Sequence, residues 1–464
     1  MAKQLYRLRI ADTTLGEKLE GIGAVLIEGP KWCGKTTTAE HHAKSVIYMD
    51  DPATRIANLE VADINPALLL NGDNPRLIDE WQLAPQIWDA VRFIVDHRGE
   101  EGLFILTGSA VPPMGDDNNK ITHTGTGRIG RMKMRTMSLW ESGESSGAIS
   151  LKSLFAGASE LTATNDVGLE QIAFMTCRGG WPRAISQSPR ASLERATDYF
   201  EAVINSDINR TDSSLKNPTK AALLMRSYAR LAGTPAPLTA IAADMASSEN
   251  TMPDSRTVQA YINALKLIFV IEDMPAWNPN LRSKAAIRTS DTRYFVDPSI
   301  GAAALGIGPD DLLSDLKTFG FFFEGLCVRD LRVYAERLNG RVYHYRDSKG
   351  LECDAVIHLR NGKYGLVEIK LGGDRHIDEG AANLLKLRDK INTDNMSDPS
   401  FMMVLTAVGK YAIVVKTGSM LCLSLALKIE EDLSDSFAVG GKCNREHYAA
   451  GHGDAAAAAC AEVE

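Results

Sequence analysis

Glycine, lysine and threonine recur at a fixed spacing near the start of the chain. Residues 29–36 read Gly-Pro-Lys-Trp-Cys-Gly-Lys-Thr, which fits G-x-x-x-x-G-K-T, and they lie between an apolar run (24–27) and a helix-compatible run (37–44). In that order of strand, loop and helix, backbone N–H groups and the helix N-terminus hold phosphates. Lys35 then reaches the β- and γ-phosphates, and the Thr36 hydroxyl ligates Mg²⁺. A chance glycine-rich turn is the alternative. The predicted ATP contacts are Gly29, Pro30, Lys31, Trp32, Cys33, Gly34, Lys35, Thr36 and Thr37.

Two adjacent acids close a short apolar run, Arg-Leu-Ile-Asp-Glu, at residues 76–80. In a phosphate-binding sheet, the first such acid holds the Mg²⁺ shell and the second orients or polarises the attacking water. We therefore predict that Asp79 joins Thr36 as a metal ligand, and that Glu80 and Lys35 are catalytic. An exposed acidic strand end is the alternative.

Polar residues also end a second buried run at residues 103–109. Because ligands gather at the carboxyl ends of parallel strands, Thr107 or Ser109 could contact the γ-phosphate or the attacking water. A plain cap between strand and loop is the alternative for either residue. Farther on, Arg128 and Arg131 lie at the mouth of a predicted fifth strand. They are candidates for an arginine finger, which often acts across a subunit boundary, although each could be an ordinary surface arginine.

Cys33 lies inside the predicted phosphate loop. The nearby Lys35 and the helix N-terminus both favour the thiolate, which is the reactive form of cysteine. The sequence therefore predicts that alkylation of Cys33 inactivates the protein and that bound ATP protects it.

Several motifs together resemble one known family. They are Arg-Leu-Ile-Asp-Glu-Trp-Gln at 76–82, Leu-Thr-Gly-Ser at 106–109, Gly-Arg-x-x-Arg at 127–131, Ser-Leu-Trp-Glu at 138–141 and Gly-Gly-Trp-Pro at 179–182. Over residues 20–430 the chain is similar to bacterial and archaeal AAA-type P-loop ATPases. The resemblance implies an ATPase core, then a winged helix, then a C-terminal domain of unresolved function with a PD-(D/E)xK nuclease-like fold.

A second set of residues with metal-binding chemistry lies near the C-terminus. A helix over 319–337 carries Glu324, a strand over 351–358 carries Asp354, and a strand over 364–370 carries Glu368 and Lys370. Glu368 and Lys370 share one strand face because they are two residues apart. The two acids on strands would bind Mg²⁺, Lys370 would activate water, and Glu324 would support the metal through water. Cleavage of DNA, DNA binding without cleavage, and plain surface charge all remain open.

The elements that position these residues predict an α/β protein. We expect a parallel-sheet ATPase core over residues 1–150, a helical lid over 151–216, a winged helix over 217–280, a nuclease-like α/β domain over 281–440 and a disordered tail over 441–464. The Gly/Ser/Ala/Thr-rich stretch 145–168 is expected to be poorly ordered. The residues predicted to contact DNA are Arg256, Gln259, Lys266, Arg282 and Lys284, with a solvated basic face as the alternative.

Composition limits the function further. The 464 residues carry a net charge of −8, so DNA contact requires a local basic patch. The sequence has no apolar run long enough for a bilayer span, and its seven cysteines lack the paired spacing of a zinc site. We therefore expect a cytoplasmic, oligomeric, Mg²⁺-dependent ATPase, which could form a ring and which acts on DNA. Analogy alone suggests branched or unwound DNA as the substrate. A nucleotide-gated switch that binds a protein partner is the alternative.

Overall fold

The structure, a computed structural model, describes residues 6–108, 124–158, 163–164, 167–210, 216–246, 253–279, 290–391, 396–409, 411–414, 420–423 and 426–429. All of them belong to one structural unit, Met1–Ile429. Within them, no helix combines the length and the apolar composition needed to cross a membrane.

A five-stranded parallel sheet organises the N-terminal part of the chain. Its strand order is β2-β3-β4-β1-β5, so β4 lies between β1 and β3 and all carboxyl ends share one edge. This confirms the predicted α/β class and its parallel sheet. The elements are α1 (Ile10–Gly21), β1 (Ala24–Glu28), α2 (Lys35–His42), β2 (Ser45–Tyr48), α3 (Arg55–Ile64), β3 (Arg76–Asp79), α4 (Gln86–Arg98), β4 (Phe104–Gly108) and β5 (Ile129–Lys133).

Alternating apolar residues bury both faces of this sheet. On β1, Ala24 and Leu26 belong to one hydrophobic core, and Val25 and Ile27 belong to another. The first core includes α4, and the second includes α1 and α2. A strand sends successive side chains to opposite faces, so a continuous apolar run is what a sheet covered on both sides requires.

The segment that follows β5 is more ordered than its composition predicts. It forms α5 (Leu139–Ser142), β6 (Ile149–Ser150), α6 (Leu151–Ala156) and β7 (Ala163–Thr164). The expectation of a poorly ordered stretch over 145–168 is therefore wrong for 145–158. Apolar side chains of β6 and α6 are buried in the core beneath the C-terminal sheet, and β6 pairs with a strand at residues 427–428. These partners are almost 280 residues away in sequence.

Helices make up the central region. They are α7 (Leu169–Arg178), α8 (Pro182–Ile185), α9 (Pro189–Asn205), α10 (Pro218–Arg230), α11 (Leu238–Ala246), α12 (Ser255–Leu267) and α13 (Pro298–Leu305). After α12, antiparallel bridges join Ile271 to Phe295 and Met274 to Thr292, forming a hairpin. One hydrophobic core extends from Trp181 to Ala304, across the boundaries predicted at 216 and 280. The winged helix and those domain limits stay predictions.

The C-terminal region builds a second sheet of seven strands, in the order β7-β12-β13-β11-β10-β9-β8. Strands β8, β9 and β10 are antiparallel neighbours, whereas β10, β11 and β13 run parallel. Helix α15 packs in the core on one face and α16 in the core on the other. The elements are α14 (Pro309–Ser314), α15 (Leu316–Arg337), β8 (Gly340–Arg346), β9 (Glu352–Leu359), β10 (Tyr364–Lys370), α16 (Asp374–Lys390), β11 (Phe401–Thr406), β12 (Tyr411–Val414), β13 (Met420–Leu423) and β14 (Leu427–Lys428).

Candidate nucleotide site and acidic site

The glycine-rich loop connects the carboxyl end of β1 to the start of α2 at Lys35, as the sequence predicts. Glycine is required at Gly29, because a Cβ there would lie 2.0 Å from the carbonyl oxygen of Met134. Gly34 has a φ of 104°, in the left-handed region that glycine adopts without strain. The loop therefore holds a conformation that other residue types would oppose.

The Lys35 ammonium lies inside this loop. The residue is 7% exposed, and Nζ donates to the carbonyl oxygens of Gly29 at 2.9 Å and Pro30 at 2.8 Å. A phosphate oxygen could replace these neutral acceptors with a charged one, and hydrogen bonds to charged groups are the stronger kind. The loop, the lysine and the helix N-terminus together fit a nucleotide phosphate chain.

Asp79 and Thr36 meet at the carboxyl edge of the sheet. The Thr36 hydroxyl donates to Asp79 Oδ1 at 2.8 Å, and the Thr107 hydroxyl donates to the same oxygen at 2.5 Å. Burial raises the pKa of Asp79, although both hydroxyl donors oppose this. Hard oxygen atoms from a hydroxyl and a carboxylate fit Mg²⁺. Thr107 contacts Asp79 rather than standing free, and Ser109 lies outside the described residues.

Glu80 is placed beside this pair. Its backbone is left-handed, with a φ of 55°, and its carboxylate accepts a hydrogen bond from the Gln82 amide. Burial, and then the adjacent Asp79 carboxylate, raises the pKa of Glu80, and the Gln82 donor opposes the rise. A carboxylate with a raised pKa at the edge that carries Asp79 is suited to accept a proton from water.

Helices after the sheet contact the outer side of the loop. Lys31 Nζ lies 2.5 Å from Asp207 Oδ1, and the Trp32 ring meets the Tyr199 ring edge to face at 5.6 Å. Pro182 lies 3.5 Å from the position of a Cβ on Gly34. The Gly-Gly-Trp-Pro motif thus marks a segment beside the loop, but Tyr199 and Asp207 carry no sequence signal that could have identified them.

Arg9 is a loop-supporting residue that the sequence did not reveal. It is buried and donates to the Cys33 carbonyl at 2.9 Å, to Glu141 Oε1 at 2.9 Å and to the Arg135 carbonyl at 3.1 Å. Glu141 also accepts from the backbone of Ser138. The Ser-Leu-Trp-Glu motif therefore forms a helix cap whose glutamate holds the arginine under the loop.

Cys33 does not fulfil the expectation of a reactive thiol. The residue is 0% exposed, and its Sγ donates to the Met134 carbonyl at 3.6 Å. The loop that was expected to activate the thiol also covers it, so a reagent cannot reach it in this conformation. Sequence proximity to Lys35 predicted the local charge but not the burial.

Neither candidate arginine finger forms a hydrogen bond with the phosphate loop or with Asp79 of its own subunit. Arg128 precedes β5 at the amino edge, since Ile129 pairs with Ala24, and its partner is Asp96. The length of β1, about 13 Å at roughly 3.3 Å per residue, separates it from the loop. Arg131 lies within β5, 2.9 Å from Glu28 Oε1. The two side chains are 46% and 45% exposed, so both are accessible to a neighbouring subunit, and Arg131 pairs with Glu28, the last residue of β1 before the loop.

The four residues of the predicted C-terminal acidic site come together. Lys370 Nζ lies 3.0 Å from Asp354 Oδ2 and 2.6 Å from Glu368 Oε2. Burial and Asp354 raise the pKa of Glu368 to about 8, and the same causes place the pKa of Glu324 well above its usual range. Burial disfavours the Lys370 ammonium, but the Asp354 and Glu368 carboxylates outweigh it and raise the pKa of that lysine.

The cation between Asp354 and Glu368 is thus the ammonium of Lys370, where the sequence predicted a divalent metal. Among the described residues, no three His, Cys, Asp or Glu side chains form a metal-binding group. Metal binding by Asp354 and Glu368 stays a prediction and requires Lys370 to move.

Residues of the central region lie along one side of this acidic site. The Tyr294 hydroxyl of the hairpin donates to Glu324, and a Cβ on Gly233 would lie 3.4 Å from a Glu324 oxygen. The side chains of Asp354 and Lys370 are 20% and 27% exposed. Glu324 is also partly exposed, so a ligand can approach all three residues, although the Tyr294 hydroxyl occupies one side of Glu324.

Among the residues that the structure describes, the predicted DNA contacts do not form one free basic face. Arg256 is exposed on α12, whereas Gln259 donates to Asn263 at 2.7 Å and Lys266 pairs with Asp273 at 2.7 Å. Arg282 and Lys284 lie outside the described residues. Pairing with Asp273 removes much of the charge that Lys266 was expected to offer.

A partly buried charge cluster joins the three regions of the chain. Glu272 of the hairpin accepts from Arg135 at 2.8 Å and from Lys133 at 3.1 Å, and Arg135 also pairs with Glu336 of α15 at 2.5 Å. Although burial disfavours a charged Glu272, Arg135 and the other cations hold its pKa well below the usual range. Lys133 ends β5 and Arg135 lies two residues farther on, near the phosphate loop, so this cluster is a charged link from that edge to α15.

Three families of known proteins match successive parts of this chain. A family described as AAA domain matches residues 22–142, and two domains of unknown function, DUF8612 and DUF4143, match residues 169–311 and 319–417. The first match covers the parallel sheet, so this region is similar to AAA-type P-loop ATPase domains. The other two families have no known function, so their matches indicate none for this chain.

Similar proteins give little further information. Uncharacterized proteins of Mycobacterium bovis and Mycobacterium tuberculosis are each 26% identical over 373 residues, covering 79% of this chain and 74% of theirs. A Walker-type ATPase of Pyrococcus abyssi is 14% identical with a TM-score of 0.39, covering 64% of this chain and 96% of its own. The replication initiator DnaA, solved with AMPPCP and single-stranded DNA, is 16% identical with a TM-score of 0.27, covering 56% and 90%. These scores are too low to argue from.

Proposed function

We propose that the protein is a Mg²⁺-dependent ATPase whose nucleotide cycle acts on DNA. The observation that carries the ATPase part is the meeting of a buried Lys35, the Thr36–Asp79 pair and Glu80 at one edge of the sheet. Release of phosphate from ATP by the wild-type chain, and its loss in Lys35→Ala, is the first test.

Each residue at this edge has a separate role. Lys35 and the loop N–H groups hold the β- and γ-phosphates, and Thr36 with Asp79 would hold Mg²⁺, which neutralises phosphate charge. Glu80 orients the attacking water and takes its proton. Trp32 and Lys31 place the central helices against the loop, so these helices can respond to the nucleotide.

The link to the rest of the chain is the charge cluster around Glu272. A change at the loop edge would alter Lys133 and Arg135. Both pair with Glu272 of the hairpin, and Arg135 also pairs with Glu336 of α15. Helix α15 also carries Glu324, about 18 Å along the helix from Glu336 at 1.5 Å per residue. In this proposal the nucleotide state shifts the hairpin, and Tyr294 then covers or releases the acidic site.

DNA binding is expected to involve the face that carries Asp354, Glu368 and Lys370. We expect the full-length chain to bind duplex, single-stranded or four-way DNA in gel shifts, with affinity falling as salt rises. Asp354→Ala and Glu368→Ala should each change this binding. Asp378→Ala, which alters an exposed residue of α16, is the control. Mg²⁺- or Mn²⁺-dependent cleavage lost in both variants would establish a nuclease, and binding alone a DNA-binding domain.

A nucleotide-gated switch for a protein partner is the second candidate function. The observation that favours it is local neutralisation: Lys370 is shared by two carboxylates, and Lys266 is paired with Asp273. The absence of salt-dependent binding to all three DNA types, with and without ATP, would contradict the DNA proposal and favour the switch.

Oligomers are expected to complete the ATPase site through Arg128 or Arg131. A finger from the neighbouring subunit stabilises transition-state charge, so the double variant Arg128→Ala, Arg131→Ala should lose ATPase activity at least about tenfold. Mixing it with Lys35→Ala protein should restore part of the activity, because mixed interfaces combine an intact loop with intact arginines. A monomer with full activity, or a mixture without restoration, would contradict this proposal.

A further inference from the structure

Gln82 is the side chain in direct contact with the proposed catalytic carboxylate. Its amide Nε2 donates to Glu80 Oε2, from a 3₁₀ turn, Trp81–Leu83, that begins directly after Glu80. The left-handed backbone of Glu80 turns the chain so that residues 80 and 82 face each other. A left-handed conformation is uncommon for a residue other than glycine, and such conformations cluster at functional sites.

Two polar atoms beside this contact lack partners. In the part of the chain that the structure describes, Gln82 Oε1 and Trp81 Nε1 are buried without a hydrogen bond. Both lie against Gly108, where a Cβ would be 2.6 Å from Gln82 Oε1 and 3.1 Å from Trp81 Nε1. A buried acceptor and a buried donor at one place can be satisfied together by one water molecule. Gly108 is therefore the residue that leaves room for the Gln82 amide.

We propose that Gln82 is a positioning residue of the ATPase, which holds the Glu80 carboxylate in the orientation needed to act on the attacking water. This inference rests on the proposed ATPase function. Within the described residues, Gln82 forms no hydrogen bond with the loop or with Asp79, so its effect passes through Glu80. It should therefore matter for turnover and not for the affinity of ATP.

The test is a double-mutant cycle between positions 82 and 80. Gln82→Met keeps the side-chain length and removes the amide, and we expect kcat to fall about tenfold or more with KM for ATP within about twofold of wild type. In the Glu80→Gln background the same change should have almost no further effect, because the residue through which it acts is already lost. Gln86→Met, one turn along in α4, is the matched control and should behave as wild type.

Gly108→Ala provides a second variant with an intact amide. The added methyl group meets the flexible end of Gln82, so the fold should survive while the amide is displaced, and kcat should fall as in Gln82→Met. A wild-type kcat for Gln82→Met, or equal losses in the wild-type and Glu80→Gln backgrounds, would overturn the inference. If neither wild type nor Gln86→Met hydrolyses ATP, the proposed ATPase function itself fails, which is a distinguishable result.

Discussion

Glu80→Gln is expected to bind ATP like the wild-type chain and to hydrolyse it about 10²–10⁴-fold more slowly, the range that a positioned general base contributes. Glutamine has the size of glutamate but cannot accept the proton of the attacking water. Lys35, Thr36 and Asp79 remain in place, so the phosphate contacts should survive.

Steady-state phosphate release together with ATP binding separates these roles. Asp50→Asn, a nearby acid on an exposed turn, is the control and should change kcat by less than about twofold. A Glu80→Gln chain that turns over at the wild-type rate would remove Glu80 from catalysis.

Wild-type activity should also decline in acid. Because burial and Asp79 raise the pKa of Glu80, a larger fraction of this carboxyl is protonated at a given acidic pH than in a free glutamate. Only the ionised form can accept a proton, so the acidic limb of the kcat profile should lie above the usual glutamate pKa of about 4.3.

Arg329→Ala is expected to lower the free energy of unfolding by about 3–5 kcal/mol, the cost of leaving a buried charge without its partner. The Arg329 side chain is 2% exposed and lies 3.1 Å from Asp297 and 2.7 Å from Asp330. Asp297 also accepts from Thr136 and from the Gly180 backbone. Removal of the arginine leaves two buried carboxylates without their cation, at the place where the sheet, the central helices and α15 meet.

The effect of this substitution should depend on pH. Burial raises the pKa of Asp330 to about 6, although Arg329 opposes the rise. A carboxyl group whose pKa is higher in the folded state binds more protons there, so its contribution to stability falls as pH rises. Arg329 also holds the pKa of Asp297 below its usual range, although burial opposes this. Without Arg329 the pKa values of Asp330 and Asp297 should both rise, so the loss of stability should be smaller at pH 5 than at pH 8.

Urea unfolding followed by tryptophan fluorescence at the two pH values measures this difference. Arg375→Ala is the matched control, because that side chain is 88% exposed and its pairing with Glu379 should contribute less than about 1 kcal/mol. Equal unfolding midpoints for Arg329→Ala and Arg375→Ala would show that the buried network does not support the fold.

Local motifs made the nucleotide edge predictable. The loop, the start of α2 and the acids at the end of β3 each depend on a few neighbouring residues, and each lies where the sequence placed it. The position of β4 between β1 and β3 is not local, and it brings the Thr107 hydroxyl onto Asp79. Sequence spacing had suggested a free sensor at this position.

Long-range contacts account for the order of residues 145–158 and for the Gly-Gly pair, which composition did not predict. Ser145 and Ser150, in the stretch expected to be poorly ordered, donate to the carbonyl oxygens of Leu427 and Ile429. Likewise, a Cβ on Gly180 would lie 2.0 Å from the Met137 carbonyl oxygen, so the Gly-Gly pair serves close backbone packing. Neither partner can be identified from the residues around it in sequence.

The acidic site was predictable where it depends on local strand geometry and not where it depends on long-range contacts. Strand alternation correctly put Glu368 and Lys370 on one face, and pairing of β9 with β10 added Asp354. The sequence could not indicate that Lys370 would bridge both carboxylates or that the Tyr294 hydroxyl would donate to Glu324. Those contacts depend on side-chain placement and on a hairpin whose first bridge, at Ile271, lies 45 residues before the start of α15.

Binding of a fluorescent ATP analogue with Mg²⁺ to the full-length chain tests the central claim most directly. Lys35→Ala should weaken binding about 100-fold or more, because it removes the buried ammonium that the loop directs at the phosphates. Lys44→Ala, which changes an exposed lysine just after α2, should bind like wild type. Equal affinities for wild type, Lys35→Ala and Lys44→Ala would contradict nucleotide binding at this loop.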